Sequence, residues 1–257
     1  MGRAVVDLYH EAGADVTGTS RREGADEVVA DAADLDRLLA REHFDQVVLT
    51  APLTAPAVDW LVDRVDGSRW VVLSSAQLSS RVPSPGTQFA LAREETALVR
   101  GATVFRPTMI FGRGADANVS RIVRLQQRWR IAVQVGDGSE LVQPVHVADL
   151  VALLRRHLSA PKPGLFSVGG DERIPTRELV EMVKELTAVR LPVVVLPRAL
   201  VRAAARTGVP GLRRDQLLRL EEDKTVDITG TCDAFAWRPE PLAQRVQQAV
   251  CEVINRP

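Results

Sequence analysis

Residues 69–112 read RWVVLSSAQLSSRVPSPGTQFALAREETALVRGATVFRPTMIFG, and this stretch decides the fold. It opens with a short apolar run, RWVVLSS (69–75), and passes through small and turn-forming residues. A helical stretch at Phe89–Arg100 follows, then Gly101 and a second apolar run, TVFRPTMIFG (103–112). Two such strands joined by a helix are parallel, because parallel strands need a long crossover, which is right-handed in nearly all proteins. Upstream the alternation continues. DVTGTS (15–20), EVVA (27–30) and QVVLTA (46–51) are predicted strands, and Gly2–Ala12, Leu35–Glu42 and Ala57–Val65 are predicted helices. Nearly continuous apolar strands between helices imply a sheet covered on both faces. The expected fold is therefore α/β, a doubly wound, mostly parallel Rossmann-type sheet.

Beyond residue 112 the rhythm changes. Asn118–Trp129 reads as a helix, and the loop GDGSELVQPVHVADL leads into a helix at 147–158. GLFSVGG (164–170) reads as a strand. IPTRELVEMVKEL reads as a helix with Thr176 as its N-cap. LPVVVLP (191–197) is a short strand, 198–207 and 213–221 are helical, and a last helix closes the chain. The division expected is a core at 1–112 and a smaller C-terminal α/β lobe at 113–257, packed on the core and returning elements to it; the resemblance described below implies that the core binds a dinucleotide and that the lobe mainly binds substrate.

Composition narrows the function classes. Lys and Arg total 33, equal to Asp and Glu, so no net charge argues for a nucleic-acid or membrane partner. No apolar run approaches the roughly 18 residues of a membrane span. Cys232 and Cys251 form no CxxC, and the four histidines show no ligand spacing, so no metal is expected and a cytoplasmic location is the default. Tyr9 is the single tyrosine, and no lysine precedes Lys162.

Five segments then align, in order, with one family. VVLSSAQLSS is similar to the strand that ends in a catalytic serine, and FRPTMIFGRGADANVSRIVRL to an RPxxxYGxG strand, loop and helix. QPVHVADLVALL resembles VHVxDLA, FSVGGDERIPTRELV a strand, GG turn and helix, and FAWRPEPLAQRV a GWxPxxL tail. The chain thus resembles the extended short-chain dehydrogenase/reductase superfamily, in its NAD(P)-dependent epimerase/dehydratase and nucleotide-sugar ketoreductase branch. Family members begin with a strand and GxxGxxG. Gly2 matches the last glycine, so the resemblance implies that a strand and two glycines lie before this pattern, or else that the remaining strands re-pair across the gap.

The resemblance implies a site. Ser75 matches the catalytic serine, with Gln77 beside it toward the substrate. The tyrosine and lysine of YxxxK fall on Phe89 and Arg93 in FALAR, so the usual Tyr-dependent proton exchange is expected to be lost or altered. Arg93 retains a positive charge for ribose hydroxyls. Gly2 and Arg3 would meet the pyrophosphate, and Thr50, Ala51, Pro52 and Pro107 the nicotinamide side. Asp31 matches the family's residue near the adenine. Where NAD users place an acid, the chain has Ser20 followed by Arg21 and Arg22, which favours NADP over NAD. Asn118 and Arg121, on the substrate-lobe helix, are candidate substrate contacts, with Arg124 and Arg128 on the same face. Asn118 and the His146/Asp149 segment have helix capping as the competing role, and Arg106 is expected to be a structural partner.

The expected substrate is a nucleotide-linked sugar or similar small carbonyl or hydroxyl compound. A non-catalytic NAD(P)-binding scaffold, sensor or partner subunit is the alternative, together with a repurposed lyase or cyclase. Family members often form homodimers through the helices flanking the catalytic segment, here 57–65 and 89–100.

Overall fold

The structure is a computed structural model that describes residues 2–20, 27–28, 32–55, 58–114, 116, 118–187, 192–207 and 218–255. Its centre is a four-stranded sheet of β3 (Val47–Leu49), β4 (Trp70–Leu73), β5 (Thr103–Pro107) and β10 (Gly164–Val168). The spatial order is β10-β5-β4-β3, and every pairing is parallel. Side chains alternate between two cores, as the strand period of two requires. Val71, Leu73 and Phe105 face one core with α1 (Gly2–Glu11), α6 (Val147–Ser159) and α9 (Thr229–Phe235). Trp70, Val72 and Val104 face the other, with α2 (Ala32–Arg41), α3 (Asp59–Val62) and α4 (Thr87–Val99). Helices on both faces of a parallel sheet make this a doubly wound Rossmann-type α/β fold.

The sheet is interrupted. β1 (Thr19–Ser20) and β2 (Glu27–Val28) pair with each other in parallel and form a separate sheet. The re-pairing of β1 with β3 that would close the gap does not occur among the described residues.

A third core lies under α5 (Val119–Trp129), α7 (Thr176–Leu186) and α10 (Leu242–Ile254), built from Val119, Val123, Leu179, Val183 and Val246 among others. Small strands frame it: β6 (Ile110–Phe111) with β9 (Val145–His146), β8 (Leu141–Val142) with β11 (Ile174–Pro175), and β7 (Ala132–Val135) with β12 (Val193–Leu196). Lengths therefore differ from expectation. The run 103–112 is two strands, because Thr108 donates its amide to Val168 and its hydroxyl to the Gln143 carbonyl, turning the chain off the main sheet. The strand at 15–20 shortens to two residues, and the helix at 57–65 to Asp59–Val62. Thr176 is not a cap: its hydroxyl and amide both donate to the Glu140 carbonyl, and Pro175 holds the N-cap position. The helix predicted at 198–207 is α8 (Arg198–Thr207), whereas part of the predicted 213–221 helix lies outside the described residues and its end is a 3-10 turn at Arg219–Glu221.

A polar seam crosses the first core. Tyr9 donates to Gln46 Oε1 at 2.6 Å, and the Gln46 amide donates to the Leu154 carbonyl and to His157 Nδ1. Thr103 gives its one hydroxyl proton to the Lys162 carbonyl, so it accepts from His157 Nε2 at 2.7 Å. His157 is fully buried, and burial pushes its pKa down to about 4, so it is held as a neutral Nε2–H ring. The seam ties α1 and α6 to β5.

Candidate active site

Parallel strands put their carboxyl ends on one edge, where open α/β sheets bind ligands. Leu49 pairs with Val72 and Leu73 with Phe105. Thr50 and Ala51, Ser74 and Ser75, and Pro107 therefore emerge side by side. The N-terminus of α1 meets this edge, since a Cβ on Gly2 would lie 3.0 Å from Thr50 Oγ1. A glycine at a helix start beside a small strand-end residue leaves the backbone N–H groups open to an approaching anion. This part of the site fits a dinucleotide pyrophosphate.

Ser75 is half-buried, in extended backbone at φ −151° and ψ 136°. Its Oγ accepts from the Gln77 amide at 3.2 Å and so starts the 3-10 turn Ala76–Ser79. A hydroxyl used only as an acceptor keeps its proton for another partner. The Gln77 side chain is exposed.

The helix α4 carries Phe89 and Arg93, the two positions that the resemblance aligns with tyrosine and lysine. Its buried stripe is Ala90, Arg93, Glu94 and Ala97, the i, i+3, i+4, i+7 spacing of a core-facing side. Phe89 lies off the stripe and is 68% exposed, an aromatic ring with no exchangeable proton. Arg93 faces inward. It donates from Nε and Nη2 to the two Asp59 carboxylate oxygens, at 2.5 and 2.9 Å, and from Nη1 to the carbonyls of Leu53 and Ala55. Four of the five guanidinium N–H donors are thereby committed to protein. Asp59 is held below the usual carboxylate range by its hydrogen bond from Arg93.

Glu94, 3% exposed, accepts from Ser74 Oγ at 2.5 Å and pairs with Arg106 through both carboxylate oxygens. Arg106 is thus a structural partner, and the pair braces the strand ends that carry Ser75 and Pro107. Glu94 and Asp59 were missed by sequence reasoning. The stripe spacing on α4 contains the signal for Glu94, because a charged residue at a core-facing position needs a buried partner. Nothing local identifies Asp59, which is 34 residues from Arg93.

The other candidates fall in several places. Arg3 is exposed, 3.7 Å from Asp7 on the same helix. Ser20 ends β1, half-buried, whereas Arg21, Arg22 and Asp31 lie outside the described residues. Pro52 is exposed and Pro107 buried. Asn118 donates its amide to the Ile110 carbonyl, and Asp116, not Asn118, caps α5 by accepting from the amides of Asn118 and Ser120. Arg121 is exposed, Arg124 donates to the carbonyls of Gly114 and Asp116, and Arg128 stacks on Trp129 at 5.6 Å. His146 caps α6 by accepting from the Ala148 amide, and Asp149 is paired with Arg245 in the interior.

No protein-family model and no curated protein matches the sequence. Solved structures do match. The UDP-glucose 4-epimerase of Thermus thermophilus, solved with NAD, is 16% identical over 100% of this chain and 96% of its own, with a TM-score of 0.74. MoeE5, in complex with UDP-glucuronic acid and NAD, is 19% identical over 98% and 95%, at 0.72. The Thermotoga maritima UDP-glucose 4-epimerase, solved with UDP-glucose, is 16% identical over 97% and 94%, at 0.71. The likeness is one of fold. It runs the length of the chain, including the small strands and helices after residue 112. No helix among the described residues is long and apolar enough to cross a membrane.

Proposed function

We propose that this chain is an NAD(P)-binding protein of the epimerase/dehydratase type that acts on a nucleotide-linked sugar or a similar small carbonyl or hydroxyl compound. The observation that carries this is the α1 N-terminus set against Thr50 at the carboxyl edge of the sheet, in a fold shared end to end with proteins solved holding NAD. A bound nicotinamide would supply hydride transfer. Gly2 and the first amides of α1 would hold the pyrophosphate, and Thr50, Ala51 and Pro107 would border the nicotinamide side. Ser75 would hold a substrate oxygen by its hydroxyl, with Gln77 and Arg121 further out. Residues 1–112 would form the cofactor half, and residues 113–257 would be mainly the substrate lobe. Ser20 with Arg21 and Arg22 supports NADP over NAD.

A second reading has its own support. Phe89 carries no proton to exchange and Arg93 is committed to Asp59. Tyr-dependent chemistry is therefore impaired, and a non-catalytic dinucleotide-binding role, or a reaction without that proton relay, is the alternative. Titration with NADPH and NADH, followed by nicotinamide fluorescence, tests the first step. Binding of both, with NADPH tighter, is expected; saturation by neither overturns the proposal.

A further inference from the structure

We propose that Arg93 is a positioning residue that latches residues 50–55, which follow β3, to the first residue of α3, and that it does not serve as a ligand-facing cation. The guanidinium lies across the loop's mouth. Its Nη1 binds the carbonyls of Leu53 and Ala55, while Nε and Nη2 grip Asp59, the first residue of α3. The loop also carries its own turns, Ala55 N–H to the Pro52 carbonyl at 2.9 Å and Val58 N–H to the Ala55 carbonyl at 3.1 Å. Leu53 and Val58 are buried at 4% and 1% exposure, so the loop is pinned from beneath as well. Arg93 thereby fixes the Ala55 peptide, and through it the Pro52 carbonyl that follows Thr50 and Ala51.

The chemistry requires arginine. A planar fork presents N–H groups along separate directions and spans a carboxylate and two carbonyls at once. A lysine ammonium is a single point with three donors and cannot cover that width. Residue 93 is 9% exposed, so a guanidinium left unpaired there would be costly. The consequence for a dinucleotide, that the latch holds Thr50, Ala51 and Pro52 in the shape that borders the ribose, rests on the proposed function. The latch itself does not.

Amide hydrogen exchange at Ala55 and Val58, measured in the wild type, Arg93→Lys and Asp59→Asn, decides the matter. Both variants should speed exchange there, by about tenfold or more for Arg93→Lys, and less for Asp59→Asn, which leaves the carbonyl contacts. The Trp237 amide, bonded to the Cys232 carbonyl far along the chain, should be unchanged. If Arg93→Lys does not fold, Asp59→Asn carries the test, because its side chain is 67% exposed. Unchanged exchange at Ala55 and Val58 in the folded variants overturns the latch. NADPH fluorescence on the same proteins reads the consequence: weaker binding by Arg93→Lys supports it, and equal affinity despite faster exchange overturns it. Should the wild type bind no dinucleotide, the proposed function falls while the exchange data still judge the latch.

Discussion

Replacing Glu94 by alanine should be among the most damaging single changes near the candidate site. Glu94 is 3% exposed and holds three donors, the Ser74 hydroxyl and two N–H groups of the Arg106 guanidinium, whose side chain is only 20% exposed. Removing one partner of a buried ion pair costs about 3–5 kcal/mol, because the other charge stays buried without compensation. The orphaned Ser74 hydroxyl adds about 1 kcal/mol. Against a net stability of about 5–15 kcal/mol, Glu94→Ala should leave the fold barely stable. In urea, with a slope of about 3 kcal/mol per molar, the midpoint should fall by more than about 1 M. Arg106→Ala should also destabilise. The double variant should cost less than the two singles combined, by at least about 1.5 kcal/mol, since it strands no charge. Circular dichroism across a urea series on the four proteins measures all three terms. A Glu94→Ala loss below about 1 kcal/mol, or strict additivity, would refute the assignment of this pair as the brace behind Ser75.

Three further outcomes follow from other parts of the fold. Gly170→Ala should destabilise by about 2 kcal/mol or more, because the new Cβ would lie 2.1 Å from the Pro144 carbonyl oxygen, which is backbone and cannot rotate aside; thermal melting reads it. For His157, lowered by burial from the ordinary 6.5 to about 4, the unfolded chain binds the proton that the folded ring refuses, so stability falls as pH falls from about 6.5 to about 4. That loss approaches about 3 kcal/mol; His157→Gln should show a shallower pH dependence than the wild type, and identical profiles would exclude the effect. Tyr9→Phe should cost about 1 kcal/mol in urea unfolding by removing the donor to Gln46, while a neutral result would show that the seam does not hold α1.

The alternation that opened the sequence reading survives in the structure. RWVVLSS contains β4, 89–100 overlaps α4, and TVFRP is β5, because short continuous apolar runs and a helical stripe are local properties of the chain. The small strands β7, β8, β9 and β11 were not legible. Two to four residues carry no periodicity, and each exists only through its partner. The candidate residues were legible as positions more than as contacts. Ser75 and Thr50 stand at the strand ends expected of them, whereas the capping of α5 falls to Asp116.

By itself the sequence determined the α/β class and the order of the main strands and helices, and it places Phe89 and Arg93 one helical turn apart. All of these are properties of residues close together in the chain. Tertiary structure alone decided which charges meet. Arg93 finds Asp59 across 34 residues and Asp149 finds Arg245 across 96, and β10 returns to pair with β5. A buried charge must be matched by whatever the fold brings within reach. That is why Arg93, aligned in sequence with a lysine, meets Asp59 and the Leu53 and Ala55 carbonyls in three dimensions.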